Sequence, residues 1–287
     1  MKNGILLLLL FQLVPLLCDA QSFYAIRRER SLIALAGAGS SSYFGELKDD
    51  GDLLDPKASL AIGLQYYFTN RISARSELTY FTLKGKDETS SDPSRVRRNL
   101  SFTSGNFEFN MVGMVNLFPL GRRFYQRPNI NFYGFAGVGV MYMNPKAEYE
   151  GKKYALQPLK TEDVSYSHFQ PVIPYGLGVR LKAGPFFNVA LETGWRTTFT
   201  DYLDDVSTVH PDKSGWTDPI RIALSDRRVE GDDTLEPYPA GTQRGNPDKK
   251  DNYHFIMLKV EYYLPHNFLF KNPNRKLYNS KRKAYYR

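Results

Sequence analysis

Residues 59–69 read SLAIGLQYYFT. Leu60, Ile62, Leu64, Tyr66 and Phe68 occupy every second position, and Ser59, Ala61, Gly63, Gln65 and Tyr67 lie between them. Successive strand side chains point to opposite faces, so this alternation marks a strand between two unlike environments. Asn70-Arg71 supplies a tight turn. The pattern then repeats from Ile72, with Ala74, Leu78 and Tyr80 set against Arg75, Glu77 and Thr79.

Working outward, the same period recurs. One strand precedes this hairpin at about 31–44, where small residues leave the facing undecided. Later strands are predicted at about 100–118, 130–143, 173–183, 187–199 and 254–264, giving eight in all. The connections after the second, fourth and sixth strands are short. Those after the first, third, fifth and seventh are long, the last covering about 201–252. An even strand number with alternating tight turns and long loops is the pattern of an outer-membrane barrel. A structureless loop of roughly 50 residues is rare inside a soluble domain. The predicted fold is therefore all-β, an eight-stranded antiparallel transmembrane β-barrel.

Composition agrees. The 287 residues include 20 Tyr, 19 Phe and only 2 Trp, too aromatic for a disordered chain. Lys2, the apolar run Ile5–Leu17 and the small residues before Gln21 predict a leader over 1–20, a barrel over 21–270 and a basic tail over 271–287. The apolar run is too short for a spanning helix, which needs about 20 residues. The single cysteine, Cys18, lies in the leader, and Leu17 before it argues against lipidation. The mature chain is thus expected to lack disulfides and cysteine chemistry.

Period alone does not say which solvent meets the apolar face. In a soluble sandwich or lipocalin-like barrel that face lines the core, and in a membrane barrel it meets lipid. Tyr and Phe near the strand ends, and strands longer than the usual five or six residues or so, favour lipid. The opposite face then carries Arg75, Arg180, Lys182, Arg196 and Lys259 against Glu77, Glu108, Glu192 and Glu261. An eight-stranded barrel is barely wider than its own side chains. Charges withdrawn from water there must be paired and hydrogen-bonded. A plugging ion-pair network is the expectation, with an ion-conducting path as the alternative.

The formal charge of +8 is concentrated at one end. Residues 271–287 hold seven bases and no acid, and Lys2 cancels Asp19, which leaves +1 for residues 21–270. Lys276, Lys281, Arg282 and Lys283 of the tail, with Arg122, Arg123 and Arg127 of the second short turn, are candidates for docking an acidic periplasmic partner or membrane surface. A solvated tail is the alternative, and nucleic acid is not an expected partner of an exported chain.

No catalytic motif is evident. His168, His210, His254 and His266 form no H-E-x-x-H pattern, and G-x-S-x-G and P-loop sequences are absent. Ser167-His168 are adjacent and point apart on a strand, and His254 at a strand end is the remaining candidate base for a lipid-modifying barrel enzyme. Asp49-Asp50-Gly51-Asp52 lacks calcium-loop spacing, and Gly134–Gly139 lies in a strand with no helix after it, unlike a dinucleotide fingerprint. No cofactor, metal or enzyme activity is expected.

Four stretches carry a family resemblance: YFGEL at 43–47, IPYGLGVRLK at 173–182, GWRTTFTDYLDDVS at 194–207 and RGNPDKKDNYHF at 244–255. Over nearly all of 31–264, in order, the chain resembles the PorG-type outer-membrane barrel subunit of the type IX secretion system of Bacteroidota. Asp201, Tyr202, Asp204 and Asp205 are the most specific part. The resemblance implies an eight-stranded barrel in the outer membrane that anchors a periplasmic ring of a lipoprotein and its partner, supporting protein secretion and, in some members, gliding. A small general outer-membrane barrel or pore without a dedicated partner is the alternative. The acidic run is expected to order the outer loop through turns and local hydrogen bonds.

Overall fold

The computed structural model describes residues 30–48, 56–121, 125–231 and 234–265. Eight long strands form the wall: β1 (Leu32–Phe44), β2 (Lys57–Tyr67), β3 (Ile72–Lys86), β4 (Ser101–Asn116), β5 (Ile130–Tyr142), β8 (Phe169–Ala183), β9 (Phe187–Thr198) and β10 (Asn252–Tyr263). Each is antiparallel to both neighbours. The pairing of β1 with β10 and of β3 with β4 closes the sheet into a barrel without a free edge. A short hairpin, β6 (Pro145–Tyr149) and β7 (Lys152–Ala155), hangs from the end of β4 in the connection between β5 and β8.

The alternation read from the sequence sets the wall's two faces. Ile62, Val138 and Leu177 are 62%, 67% and 65% exposed, and they belong to an apolar outer belt that runs around the barrel. Gln65, Glu77, Glu108 and Glu261 point inward and are no more than 1% exposed. β1 resolves as well: Ile33, Leu35, Ser41 and Tyr43 are buried, whereas Ala36 and Ala38 face out. Its inward glycines answer a space demand. A Cβ on Gly37 would lie 2.6 Å from Cγ of Lys259, which crosses over it from β10.

Among the described residues, one end of the barrel carries short turns, and the other carries the long connections. These long connections differ from the predicted polar loops. They contain α1 (Pro93–Arg98), α2 (Leu156–Leu159), α3 (Pro219–Ser225) and α4 (Arg228–Gly231), the β6–β7 hairpin and an isolated bridge between Val209 and Gln243. Leu156, Leu203, Val206 and Leu224 pack with Phe81, Phe102, Tyr253 and Phe255 into one hydrophobic cluster. The loops therefore fold into a cap whose core continues into the barrel mouth. The apolar residues that build it are scattered without strand or helix period, so periodicity does not reveal it.

Candidate functional site: the plugged lumen and its cap

Three tiers of ion pairs fill the lumen. Nearest the short-turn end, Arg180 is bidentate to Glu261 at 2.6 and 2.8 Å and also donates to Asn116, while Asn188 donates to Glu261. In the middle, Arg75 pairs with both oxygens of Glu192, Lys259 lies 2.6 Å from both Glu77 and Glu192, and the Tyr133 hydroxyl donates to Glu192. Toward the cap, Arg196 pairs with Glu108, which also accepts from Tyr253 and Asn110. Four cations meet four carboxylates.

Lys182 differs from its predicted place in this network. It sits at the short-turn rim, partly exposed, and donates to the Tyr125 carbonyl at 3.0 Å. A lysine one step past Arg180 on the inward parity reaches the end of the wall, where water and backbone carbonyls are available. Above the ion pairs, Phe81 stacks on Tyr253 at 5.0 Å and meets Phe255 edge-on, closing the cap side. Ile33, Tyr67, Leu120 and Tyr263 cluster at the opposite end. The inward glycines Gly176 and Gly178 of IPYGLGVRLK make room for this filling, since a Cβ on Gly178 would stand 2.4 Å from the Tyr133 ring.

The acidic run lies inside the cap. Tyr43 at the top of β1 has its hydroxyl 2.7 Å from Asp204 and 2.9 Å from Asp251, and the amide of Glu46 donates to it. One hydroxyl has one proton. That proton is shared between the two carboxyl groups. Burial, reinforced for Asp251 by the Asp204 charge, holds both carboxyls well above their ordinary range. Leu203 and Val206 amides donate to Asp251 and Asp204 in turn.

Asp205, at φ 68°, accepts from the hydroxyls of Thr161 and Tyr166. Burial raises its carboxyl to about 6. Asp201 is buried beside Ser207, and burial raises its carboxyl to about 7. Tyr202 stacks on Tyr166 and donates to Glu162. Glu162 in turn accepts from the amides of Ser207 and Thr208 and from Arg244, which also caps the Asp205 carbonyl.

Three of the four stretches that carry the resemblance thus meet at one place: 43–47, 194–207 and 244–255. Sequence reasoning missed Tyr43, Glu162, Arg244 and Asp251 as partners of the acidic run. Tyr43 and Asp251 stood at strand ends inside the quoted stretches, which was the available signal.

The basic docking candidates fare differently. Arg122, Arg123, Lys276, Lys281, Arg282 and Lys283 lie outside the described residues. Arg127 is 5% exposed, and its guanidinium donates to the carbonyls of Gly184, Pro185 and Phe187 and to Asn188. It ties one short turn to another. Ser167 and His168 form no dyad: the serine hydroxyl accepts from the Phe169 amide, and His168 Nδ1 contacts the Met143 carbonyl. His254 faces outward against Trp195 with Nε2 2.8 Å from the Thr193 hydroxyl. His266 and the predicted leader lie outside the described residues. No group of three or more metal-ligating side chains occurs among the described residues, and no described helix is long and apolar enough to cross a membrane.

A family model described as "Domain of unknown function (DUF6089)" matches residues 10–218, which spans β1 to β9. None of the curated proteins matches the chain. Among solved structures, the chain is similar to Neisserial surface protein A (8% identity, TM-score 0.43, covering 82% of this chain and 97% of that one). It is also similar to Ail, the attachment invasion locus protein of Yersinia pestis (12%, 0.39, 82% and 98%). A third is the outer membrane protein OprG from Pseudomonas aeruginosa (7%, 0.39, 83% and 99%).

Proposed function

We propose that this chain, which belongs to the DUF6089 family, is a non-conducting, non-enzymatic β-barrel of the outer membrane that acts as a scaffold. The observation that carries this reading is the inversion of solvent preference. The apolar side chains stand on the outside of a closed barrel and the charges are paired inside it. An exposed apolar belt far larger than the few hundred Å² tolerated on soluble monomers calls for lipid, and a barrel leaves no unpaired backbone toward that lipid. In this reading the short turns face the periplasm and the cap faces outward.

A lumen filled by ion pairs and closed by rings at both ends offers no path for solutes, so the role is assigned to the protein's surfaces. The resemblance of residues 194–207 and 244–255 to PorG-type barrels supports a specific version: an anchor for the periplasmic lipoprotein ring of a type IX secretion and gliding complex. The basic tail 271–287, with Arg122 and Arg123, supplies charge complementary to an acidic periplasmic partner. The test is co-purification from native membranes after mild cross-linking. Recovery of stoichiometric periplasmic subunits, lost on deletion of 271–287 while barrel insertion persists, supports the anchor. Recovery of the barrel alone, with normal secretion in a deletion strain, leaves a general outer-membrane barrel without a dedicated partner.

A further inference from the structure

We infer that the outer face of the wall just above the apolar belt, between β3 and the β6–β7 hairpin, binds the phosphorylated headgroup of an anionic lipid, an inference that rests on the outer-membrane reading above. Tyr80, Phe107, Tyr142 and Phe169 are register partners on β3, β4, β5 and β8, and they face outward as one aromatic row. Tyr80 meets Phe107 at 5.0 Å, and Tyr142 meets Phe169 at 5.4 Å. Aromatic residues near strand ends mark the headgroup level of a membrane barrel.

Polar chemistry follows directly above this row. Thr82 and Gly105 stand two positions on, and Lys84 and Thr103 four positions on. Four positions are about 13 Å along the strand, and less along the membrane normal because barrel strands tilt. Beside Thr103 in the register comes Lys146 of β6. Its neighbour Ala147 is buried in the cap core, so Lys146 is on the outward face with Lys84. The two lysines thus flank Thr103 at two strand spacings, about 10 Å between backbones. A groove of about 480 Å³ opens over them and continues up to Lys86, Glu148 and Lys153.

Lys84 and Lys146 are the cations left over in this groove. Lys86 lies 3.5 Å from Glu88, Arg227 pairs with Glu230, and Lys153 stands opposite Glu148 across the hairpin. Among the described residues, Lys84 and Lys146 form no ion pair and the Thr103 hydroxyl no hydrogen bond. Glu148 is the one acid that lines the groove from a strand. Glu88, Glu150 and Glu230 line it from the connections above the wall, and Asp232 and Asp233, next in sequence, lie outside the described residues. A headgroup in the membrane reaches the groove from the other end, along the wall, and meets Lys84 and Lys146 first. β6 is paired on both sides, so Lys146 guards no strand edge.

The ammonium groups offer donors and positive charge and no acceptor. A phosphate above Thr103 answers both lysines and accepts from the hydroxyl, whereas a zwitterionic headgroup brings a cation of its own into the same row. The face is continuous with the apolar belt and looks sideways, so its occupant is a lipid standing next to the barrel and not a solute above the cap. Basic side chains beside an anionic leaflet attract its headgroups in this way.

The full chain is folded in phosphatidylcholine vesicles doped with diphosphoryl lipid A, or with the same lipid stripped of its phosphates. It is then extracted in mild detergent, and the lipid retained per folded barrel is counted by mass spectrometry. Retention of the phosphorylated form is expected to exceed that of the stripped form by about ten-fold, the scale set by two lysines near a charged surface. Lys84→Gln with Lys146→Gln is expected to abolish the difference. Lys152→Gln with Lys160→Gln removes the same charge outside the groove and is expected to preserve it. Folding of each variant is checked by heat-modifiable gel migration, and the single substitutions replace a pair that does not fold. Equal retention of the two lipids overturns the proposal. So does a difference that survives the loss of Lys84 and Lys146, or one that both variant pairs lose alike. Glucose 1-phosphate, added as a soluble competitor at the lipid's concentration, is expected to leave the lipid in place; full displacement assigns the site to a solute and overturns the lipid. A chain that gives no folded band in vesicles contradicts the outer-membrane reading itself, a result distinct from a folded barrel without lipid preference.

Discussion

The guanidinium of Arg75 on β3 is bonded to both carboxylate oxygens of Glu192 on β9, across the lumen and 117 positions away in the chain. Opposite walls of the barrel are thereby joined through its interior, and Lys259 and Tyr133 converge on the same carboxylate. The interior thus holds a cross-link between facing walls.

Such pairs are costly to break from one side. Arg196 and Glu108 are both buried and face each other at 3.0 Å. Either Arg196→Met or Glu108→Met alone strands a buried charge, at a cost of about 3–5 kcal/mol. The double substitution is expected to cost less than either single one. Urea unfolding in lipid vesicles measures all three, and equal or additive losses would contradict the pairing.

The same filling is expected to make the barrel electrically silent. In a planar bilayer the purified chain is expected to give no sustained open-channel current. Steady single-channel steps would show that the three tiers leave a conducting path.

Gly178 is set by space. A Cβ there meets the Tyr133 ring and hydroxyl at 2.4–2.8 Å, so Gly178→Val forces out the ring that donates to Glu192. Overpacking of this kind costs about 1–3 kcal/mol. Leu177→Val, one position away on the outer belt, is expected to change stability by far less. Comparable unfolding midpoints for the two variants would remove Tyr133 from the account.

The cap is expected to loosen as pH rises. Asp205 and Asp201 have folded-state values raised to about 6 and 7. A raised carboxyl contributes stability in full below its unfolded value and loses it as pH climbs through the folded one. Glu162, lowered by Arg244 once burial is overcome, acts with the opposite sign below the ordinary carboxylate range, outside this window. His210, held down to about 4 by burial and the Arg244 charge, opposes the acids only up to its ordinary value of about 6.5, and the raised Asp204 and Asp251 act with them. Proteolysis within 199–251 is therefore expected to accelerate between pH 5.5 and pH 8, and Tyr43→Phe to accelerate it at both. A rate that falls with pH, after correction for the protease, would contradict the burial of these carboxyls.

Most of the wall was legible because a strand repeats every two residues and Leu60, Phe109 or Leu258 announces its face at once. β1 was not, since Ala36, Gly37 and Ala38 carry too little side chain to declare a side. The charged lumen was readable from Arg75, Glu108 and Glu261 on the inward parity. Lys182 misled because parity gives the face but not the height at which the wall ends. The bonds of Arg127 to Gly184, Pro185 and Phe187 were not legible, because a cation in a turn reads as surface until its partners in the next turn are known. The cap was hidden because Tyr43, Glu162 and Asp251 come together from separate loops, a long-range arrangement that no local period encodes.

The solvent of the outer belt is tested most directly by refolding. The chain is diluted from urea into plain buffer or into phospholipid vesicles, and the heat-modifiable folded band is followed on a gel. The account predicts a folded band with vesicles and aggregation without them. A monodisperse folded monomer in detergent-free buffer would contradict it.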